Sequence, residues 1–381
     1  MSKTAQAVTA DHVFDGTVLH RDAAVLIEGE DIVRIMPRAE LASDTPVQKL
    51  PADIWLAPGF IDVQVNGGGD VLFNDSPTPE AVATIARAHR RFGTTGLLPT
   101  FITDAPEKMT AAIAAAQSAM DREPGVLGIH LEGPFISPER PGVHDRQFIR
   151  RLTRDDLALL AQPRQGVTLV TLAPEQMPKG AIAQLAGTGI RVSLGHSMAT
   201  YEQTRAALSE GLTGFTHLFN AMPPMLSRQP GPVAAALESP EAFYGLIVDG
   251  EHVDPASLRL ALRGLGHPML VTDAMPPVGG ERASFRLYGN EISVKDGQLR
   301  RQDGTLAGAF LTMAQAVRNC VQMLGLKLEQ ALPLAARNPA DFLGLGHRLG
   351  QLAPGFRADM VAFQPETVAV IETWVAGKAS R

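Results

Sequence analysis

Two histidines close two short apolar runs, one helix apart. Ser193-Leu194-Gly195-His196-Ser197 and Gly214-Phe215-Thr216-His217-Leu218-Phe219-Asn220 are alike: each is β-prone and each ends on its histidine. Residues 200–210 between them read as a helix. The stretch 192–222 is therefore strand, helix, strand, with a histidine at the carboxyl end of each strand. In a parallel α/β barrel those ends converge on one face, where catalytic groups gather. Imidazole is the commonest protein ligand for a transition metal, so His196 and His217 are a candidate metal pair. The competing reading is two core or loop histidines that share their punctuation.

Other strand ends add to the pair. Gly128-Ile129-His130-Leu131-Glu132 leads into Gly133-Pro134, a turn that would fix the Glu132 carboxylate just past its strand. A buried acid is costly unless it is paired or holds a cation. Glu132, His196 and His217 together form a set of two nitrogens and one oxygen, common for catalytic zinc with a position left for water. Leu270-Val271-Thr272-Asp273 ends another strand, and Asp273 is expected to be a fourth ligand or the base that takes a proton from water. Gln64 and Asn66 alternate on the first strand and share a face; neutral amides there would orient substrate or hold water. His144, His252 and Arg228 lie on strand-end loops and would supply donors for an anionic, polar substrate. His130 is expected to support Glu132 from the same face. His12, His20, His89, His267 and His347 are read as structural or surface residues. Gly67 to Gly69 lack the lysine and serine of a phosphate-binding P-loop.

An alternating order of elements is needed to bring these ends together. Residues 1–57 read as short strands with turns at Asp15-Gly16 and Gly29-Glu30, with strands at 6–14, 18–19, 24–28 and 32–36. From Phe60 the texture changes to strands alternating with helices. Strands are expected at 60–65, 96–100, 126–131, 167–172, 191–194, 214–216, 243–248 and 269–272. Helices are expected at 79–92, 106–120, 153–160, 180–186, 200–210 and 255–265, and later at 311–324, 327–336 and 339–344. The Pro-rich run from Ala221 to Pro232 reads as a loop after the sixth strand. Residues 284–299 read as a β excursion. The tail returns to β character and is expected to pair with the N-terminal strands. The fold class is thus α/β: a (β/α)8 TIM-like barrel, residues 58–349, with a small discontinuous β-sandwich domain from residues 1–57 and 350–381.

Composition limits the partners. The 381 residues are 45% hydrophobic and 19% charged, with a formal net charge of −6. No broad basic surface is available to release counterions from nucleic acid, so no nucleic-acid partner is expected. The apolar runs are too short for a membrane span, and the first residues lack the apolar core of a secretory leader; the cytoplasm is the expected location. Cys320, the single cysteine, sits in an apolar helical pattern and is expected to be a buried small hydrophobe.

Five motifs in order, from Pro58-Gly59-Phe60-Ile61-Asp62 through His130-Leu131-Glu132-Gly133-Pro134, Gly195-His196-Ser197 and Thr216-His217-Leu218-Phe219-Asn220-Ala221-Met222 to Val271-Thr272-Asp273-Ala274, resemble the N-acetylglucosamine-6-phosphate deacetylases of the amidohydrolase superfamily. The resemblance runs to the Gly355-Phe356-Arg357-Ala358-Asp359 tail. It implies Glu132, His196 and His217 as metal ligands, Asp273 as general base and acid, and His144 as the group that polarises the acetamide carbonyl. It implies sugar or phosphate contacts at His252, Asn220 and the Ala221 backbone. It also implies a homodimer in which Arg228 reaches the phosphate in the neighbouring active site. Members with His-x-His on the first strand hold two metals; Gln64 and Asn66 stand there in this chain, which points to one divalent metal per subunit. Zinc is the first expectation, with iron, manganese or cobalt as alternatives. At Gly308-Ala309-Phe310 the family often has serine after the glycine.

The implied reaction is hydrolysis of the N-acetyl group of N-acetyl-D-glucosamine 6-phosphate, a step of amino-sugar catabolism or cell-wall sugar recycling. The alternatives are the same chemistry on the galactosamine epimer, cyclic-amide hydrolysis or deamination, and a non-catalytic sugar-phosphate sensor.

Overall fold

The computed structural model describes residues 5–380. Eight parallel strands, Phe60–Val65, Thr94–Ile102, Gly128–Glu132, Val167–Leu172, Arg191–Leu194, Gly214–Phe215, Phe243–Leu246 and His267–Leu270, pair in sequence order. All the residues of the first two are buried, and the first strand still alternates, because Asp62 and Gln64 find buried polar partners in Thr272 and Glu132. The eighth strand returns to the first through a bridge between Ala274 and Val65. There the Asp273 N–H donates to the Gln64 carbonyl at 3.0 Å and the Asn66 N–H to the Ala274 carbonyl at 2.9 Å. Asp62 clamps the same seam, accepting the Thr272 hydroxyl at 2.5 Å. Burial pushes the Asp62 carboxyl up to about 7, against the hydrogen bonds from Thr272 and Gln64.

Helices Pro79–Arg90, Pro106–Met120, Arg154–Leu160, Ala181–Gly187, Tyr201–Ser209, Gly231–Glu238 and Pro255–Ala261 link the strands, and Met313–Gln322 follows the eighth. The helix between the two histidine-bearing strands starts on a capping box, in which the Thr200 hydroxyl accepts from the Gln203 N–H and the Gln203 side chain returns to the Thr200 N–H. Gly231–Glu238 was not expected. The Pro-rich loop ends where this helix starts, because proline in a first turn gives up no helical hydrogen bond.

Both chain ends join one sheet, in the order Lys378–Ser380, Ala369–Val375, Met360–Gln364, Trp55–Pro58, Ala5–Phe14, Leu19–Glu28, Asp31–Pro37, with Val47–Lys49 also on Ala5–Phe14. Residues 18–19 and 24–28, read as two strands, fall largely in the single strand Leu19–Glu28; the polar triplet His20-Arg21-Asp22 is tolerated where that strand is half-open to water. The sheet wraps on itself. Near its far edge the Ile32 N–H reaches the Phe356 carbonyl at 2.8 Å and the Ala358 N–H reaches the Glu30 carbonyl at 2.7 Å. The wrapped sheet encloses a core of its own, including Val8, Val25, Ile32, Leu56, Met360 and Trp374. The β excursion is a three-stranded meander, Ser284–Leu287, Asn290–Lys295 and Gln298–Arg301. Its Leu287, Ile292 and Leu299 pack with Leu72, Ile102 and Met275 beside the barrel mouth.

Candidate active site

Glu132 is the last residue of its strand, not the first beyond it, and its carboxylate meets the two histidines inside the barrel mouth. Glu132 Oε1 lies 3.2 Å from His196 Nε2 and 3.0 Å from His217 Nε2, and the two nitrogens are 3.1 Å apart. All three residues are buried. Such a triangle needs a positive centre. His196 Nδ1 lies 2.8 Å from the Arg140 carbonyl, which accepts a proton and donates none, so Nε2 carries the lone pair. Lone pairs crowded at this distance repel unless a cation or proton lies among them. A tetrahedral shell with bonds of about 2.0–2.1 Å has edges of about 3.3 Å, close to the spacings here, so the donor set fits a zinc-sized ion. Burial would push the Glu132 carboxyl up, but the two histidine rings against it hold it well below its usual value.

The backbone accepts strain to aim these groups. His196, His217 and Asp273 have φ of +48°, +32° and +51°. A left-handed conformation costs a residue with a side chain about 1–2 kcal/mol. The surroundings hold it in place: the His196 carbonyl accepts the Ser137 N–H at 2.8 Å, and the His217 carbonyl accepts the Asn220 N–H at 3.0 Å. Gly195 lets the fifth strand pass close to its neighbours, since a Cβ there would sit 2.6 Å from Thr171 Cγ2.

Asp273 Oδ1 accepts from Asn66 Nδ2 at 2.6 Å and from Gln64 Nε2 at 3.2 Å. The Gln64 amide also reaches both Glu132 oxygens at 3.2 Å. The two amides therefore hold the carboxylates; Asn66 lines the cavity as well, whereas Gln64 is turned to the acids. Burial, with the nearby charge of Glu132, pushes Asp273 up to about 6. The His144 ring lies 4.4 Å from the His196 ring, centre to centre and tilted by 54°, and burial holds its pKa well below the usual histidine range. His252 Nδ1 pairs with Asp249 Oδ2 at 2.6 Å, which sets its ring at the rim.

These groups line one cavity of about 180 Å³ that holds Asn66, Glu132, His144, His196, His217, Asn220, Ala221, His252 and Asp273. Arg228 is elsewhere, in a separate cleft with Arg140, Tyr201 and Pro224. His130 does not touch Glu132. It hydrogen-bonds Thr100 at 3.2 Å and Thr171 at 2.7 Å, in a buried hydroxyl layer that continues through Thr216 to Ser193. Same-face spacing was right, but one pleat along a strand is one layer deeper in a barrel. His89 is structural: it is buried, with Nε2 2.9 Å from the Gly67 carbonyl. Cys320 is buried, as expected.

Sequence reasoning missed Thr103, which touches His144, and Asp249, which orients His252. Both stand just beyond barrel strands, so the rule that found Asp273 would have flagged them. It also missed Met275, Leu306 and Gly308 in the cavity wall. Ala309, in the family's serine position, is in the wall behind the site: its N–H donates to the Asp273 carbonyl at 2.9 Å.

The sequence profile of the amidohydrolase family matches residues 55–379. The chain belongs to this family. Among its relatives, N-acetylgalactosamine-6-phosphate deacetylase of Shewanella sp. (strain ANA-3) is 42% identical over 343 residues, 89% of this chain and 86% of that protein. N-acetylglucosamine-6-phosphate deacetylase of Haemophilus influenzae is 36% identical over 363 residues, covering 94% of each. The crystal structure of N-acetylglucosamine-6-phosphate deacetylase from Pasteurella multocida superposes on this amidohydrolase with a TM-score of 0.94, at 33% identity and 99% coverage of both chains. Among the described residues of this amidohydrolase, no helix is long and apolar enough to cross a membrane.

Proposed function

We propose that this amidohydrolase cleaves the N-acetyl group of N-acetyl-D-glucosamine 6-phosphate, releasing D-glucosamine 6-phosphate and acetate. The observation that carries the reading is the Glu132–His196–His217 triangle with the buried Asp273 carboxyl beside it, in a chain whose relatives are amino-sugar phosphate deacetylases. A divalent cation held by those three residues would supply Lewis acidity and acidify water. Asp273 takes the proton of the attacking water, and Asn66 and Gln64 hold its Oδ1 in place meanwhile. Neutral His144 donates to the amide oxygen as charge develops on it. Asp273 then returns its proton to the nitrogen of the leaving amine, which would leave poorly as an anion. His252, Asn220 and the Ala221 backbone hold the sugar phosphate, so that binding away from the amide positions the amide.

One divalent ion per chain, zinc before iron, manganese or cobalt, belongs to this reading. So do a cytoplasmic setting and the division into a barrel (58–349) and a terminal β domain (1–57 with 350–381). Arg228 belongs to it through a second copy: the Pro-rich loop that carries it is open to water, with Met225 and Leu226 exposed. In a homodimer it would reach the phosphate of the neighbouring site. Arg228→Ala is expected to raise KM for the phosphorylated sugar roughly ten-fold or more, the size of one lost charge-assisted hydrogen bond. It should leave kcat within a few-fold. Steady-state kinetics with sedimentation at the same concentration checks this, and an unchanged KM would remove Arg228 from the phosphate site.

The galactosamine epimer is the second reading, because the 42% identical Shewanella relative is named for it. Acetate release from N-acetylglucosamine 6-phosphate, its galacto epimer and unphosphorylated N-acetylglucosamine decides between them, on protein of measured metal content. Faster turnover of the galacto epimer would replace the first reading. Turnover indifferent to the phosphate would overturn both.

A further inference from the structure

We propose that Thr103 is a positioning residue that fixes His144 as the tautomer protonated on Nε2, the nitrogen free to meet the substrate carbonyl. The proposal rests on the reading of His144 as the donor to the amide oxygen. Thr103 immediately follows the barrel strand Thr94–Ile102, and it presents two groups to one ring nitrogen. Its hydroxyl lies 2.7 Å from His144 Nδ1, and its backbone N–H points at the same atom at 3.3 Å. A hydroxyl can donate or accept, so by itself it leaves the tautomer open. The backbone N–H only donates. A proton on Nδ1 would face that N–H, donor against donor, so Nδ1 offers its lone pair, and the hydroxyl gives its proton to Nδ1 at 2.7 Å rather than to the Glu132 carbonyl at 3.4 Å. A ring whose Nδ1 accepts the Thr103 N–H carries no proton there, which leaves it a single N–H. Its one proton is therefore on Nε2.

The rest of the ring's surroundings agree. Nε2 has no hydrogen-bond partner among the described residues, and His144 lines the cavity beside Glu132 and Asp273. Donation into Nδ1 also strengthens the donor at Nε2, since linked hydrogen bonds polarise one another. Thr103 is itself held from behind: its carbonyl accepts the Tyr288 hydroxyl from the turn of the three-stranded meander. Arg301 of the same meander donates to the Val143 carbonyl at 3.0 Å, next to His144. The meander thus braces Thr103 and the residue that precedes His144.

The test uses the zinc-loaded full chain. Neutron diffraction from deuterated crystals is expected to show deuterium on His144 Nε2 and none on Nδ1; deuterium on Nδ1 overturns the proposal. Thr103→Val removes the hydroxyl at nearly constant shape and keeps the backbone N–H. It should lower kcat roughly ten-fold, less than the 10²–10³ expected for deleting an oxyanion donor outright, with KM little changed. Thr103→Ser, which restores the hydroxyl, should recover most of the loss. The defect should shrink on an N-trifluoroacetyl substrate, whose carbonyl needs less polarisation, whereas a purely structural fault slows both substrates alike. An equal defect on both, or wild-type kcat for Thr103→Val at equal metal content, overturns the proposal alone. Absence of acetate release from the wild type would instead overturn the functional reading on which it rests.

Discussion

Asp273→Asn should fold, load metal and bind the sugar phosphate, yet turn over at least 10³-fold more slowly. The substitution keeps the shape and one oxygen to accept from Asn66 and Gln64, the two amides that now hold Oδ1 at 2.6 and 3.2 Å. What disappears is the proton. A positioned acid–base group contributes about 10²–10⁴-fold, and Asp273 is used twice, once on the water and once on the leaving nitrogen. KM should move by no more than a few-fold. The acid limb of the kcat/KM profile should vanish with the carboxyl. The sign is fixed by the role: protonated Asp273 cannot accept from water, so activity falls as pH drops through its pKa. Burial raises that pKa to about 6, and a cation in the neighbouring triangle pulls it down, so the limb lies at or below pH 6. Rate measurements across pH on both proteins, with melting curves as a folding control, make the comparison. Turnover within ten-fold of the wild type would take Asp273 out of the mechanism.

Stripping the metal should abolish activity and also lower the melting temperature. Without a cation, Glu132 and the two Nε2 atoms within 3.2 Å must share a proton or repel. Binding to the folded chain alone stabilises it by RT ln(1 + [M]/Kd), about 2.7 kcal/mol at a hundred-fold excess over Kd. Chelation followed by readdition of zinc, manganese or cobalt should restore both properties together, saturating near one ion per chain. Glu132→Gln removes the one anionic ligand. It should lose the ion, the activity and the metal-dependent part of the melting shift, while its metal-free form melts no lower than the metal-free wild type. Full activity at substoichiometric metal, or a melting curve blind to added metal, would dismiss the centre.

The parts of the site that follow from local chemistry were legible in the residues. His196 and His217 could be recognised because each closes an apolar run, and Asp273 because it ends another; in a parallel barrel that position alone gives a direction. Glu132 was legible for the same reason, one residue out in its strand boundary. His130 shows the limit. Its alternation with Glu132 placed it on the inner face, but depth along the barrel axis is set by the stagger of neighbouring strands, and there it meets Thr100 and Thr171 instead. The wrapped terminal sheet shows another limit: strands at the two chain ends could be read, but not whether they stack as two layers or continue through hydrogen bonds as one.

From the sequence alone came the order of strands and helices, the inward face of each strand and the residue types at its end, because backbone periodicity and side-chain chemistry are local. The tertiary structure decided the distances: which amide holds Asp273, which donor faces His144 Nδ1, and that Arg228 opens into another cleft of the same chain. Those depend on strand stagger, left-handed turns at His196, His217 and Asp273, and packing between segments up to some 200 residues apart, such as Gln64 and Asp273. Each is a balance of small energies across the whole barrel, and no short stretch of chain contains it.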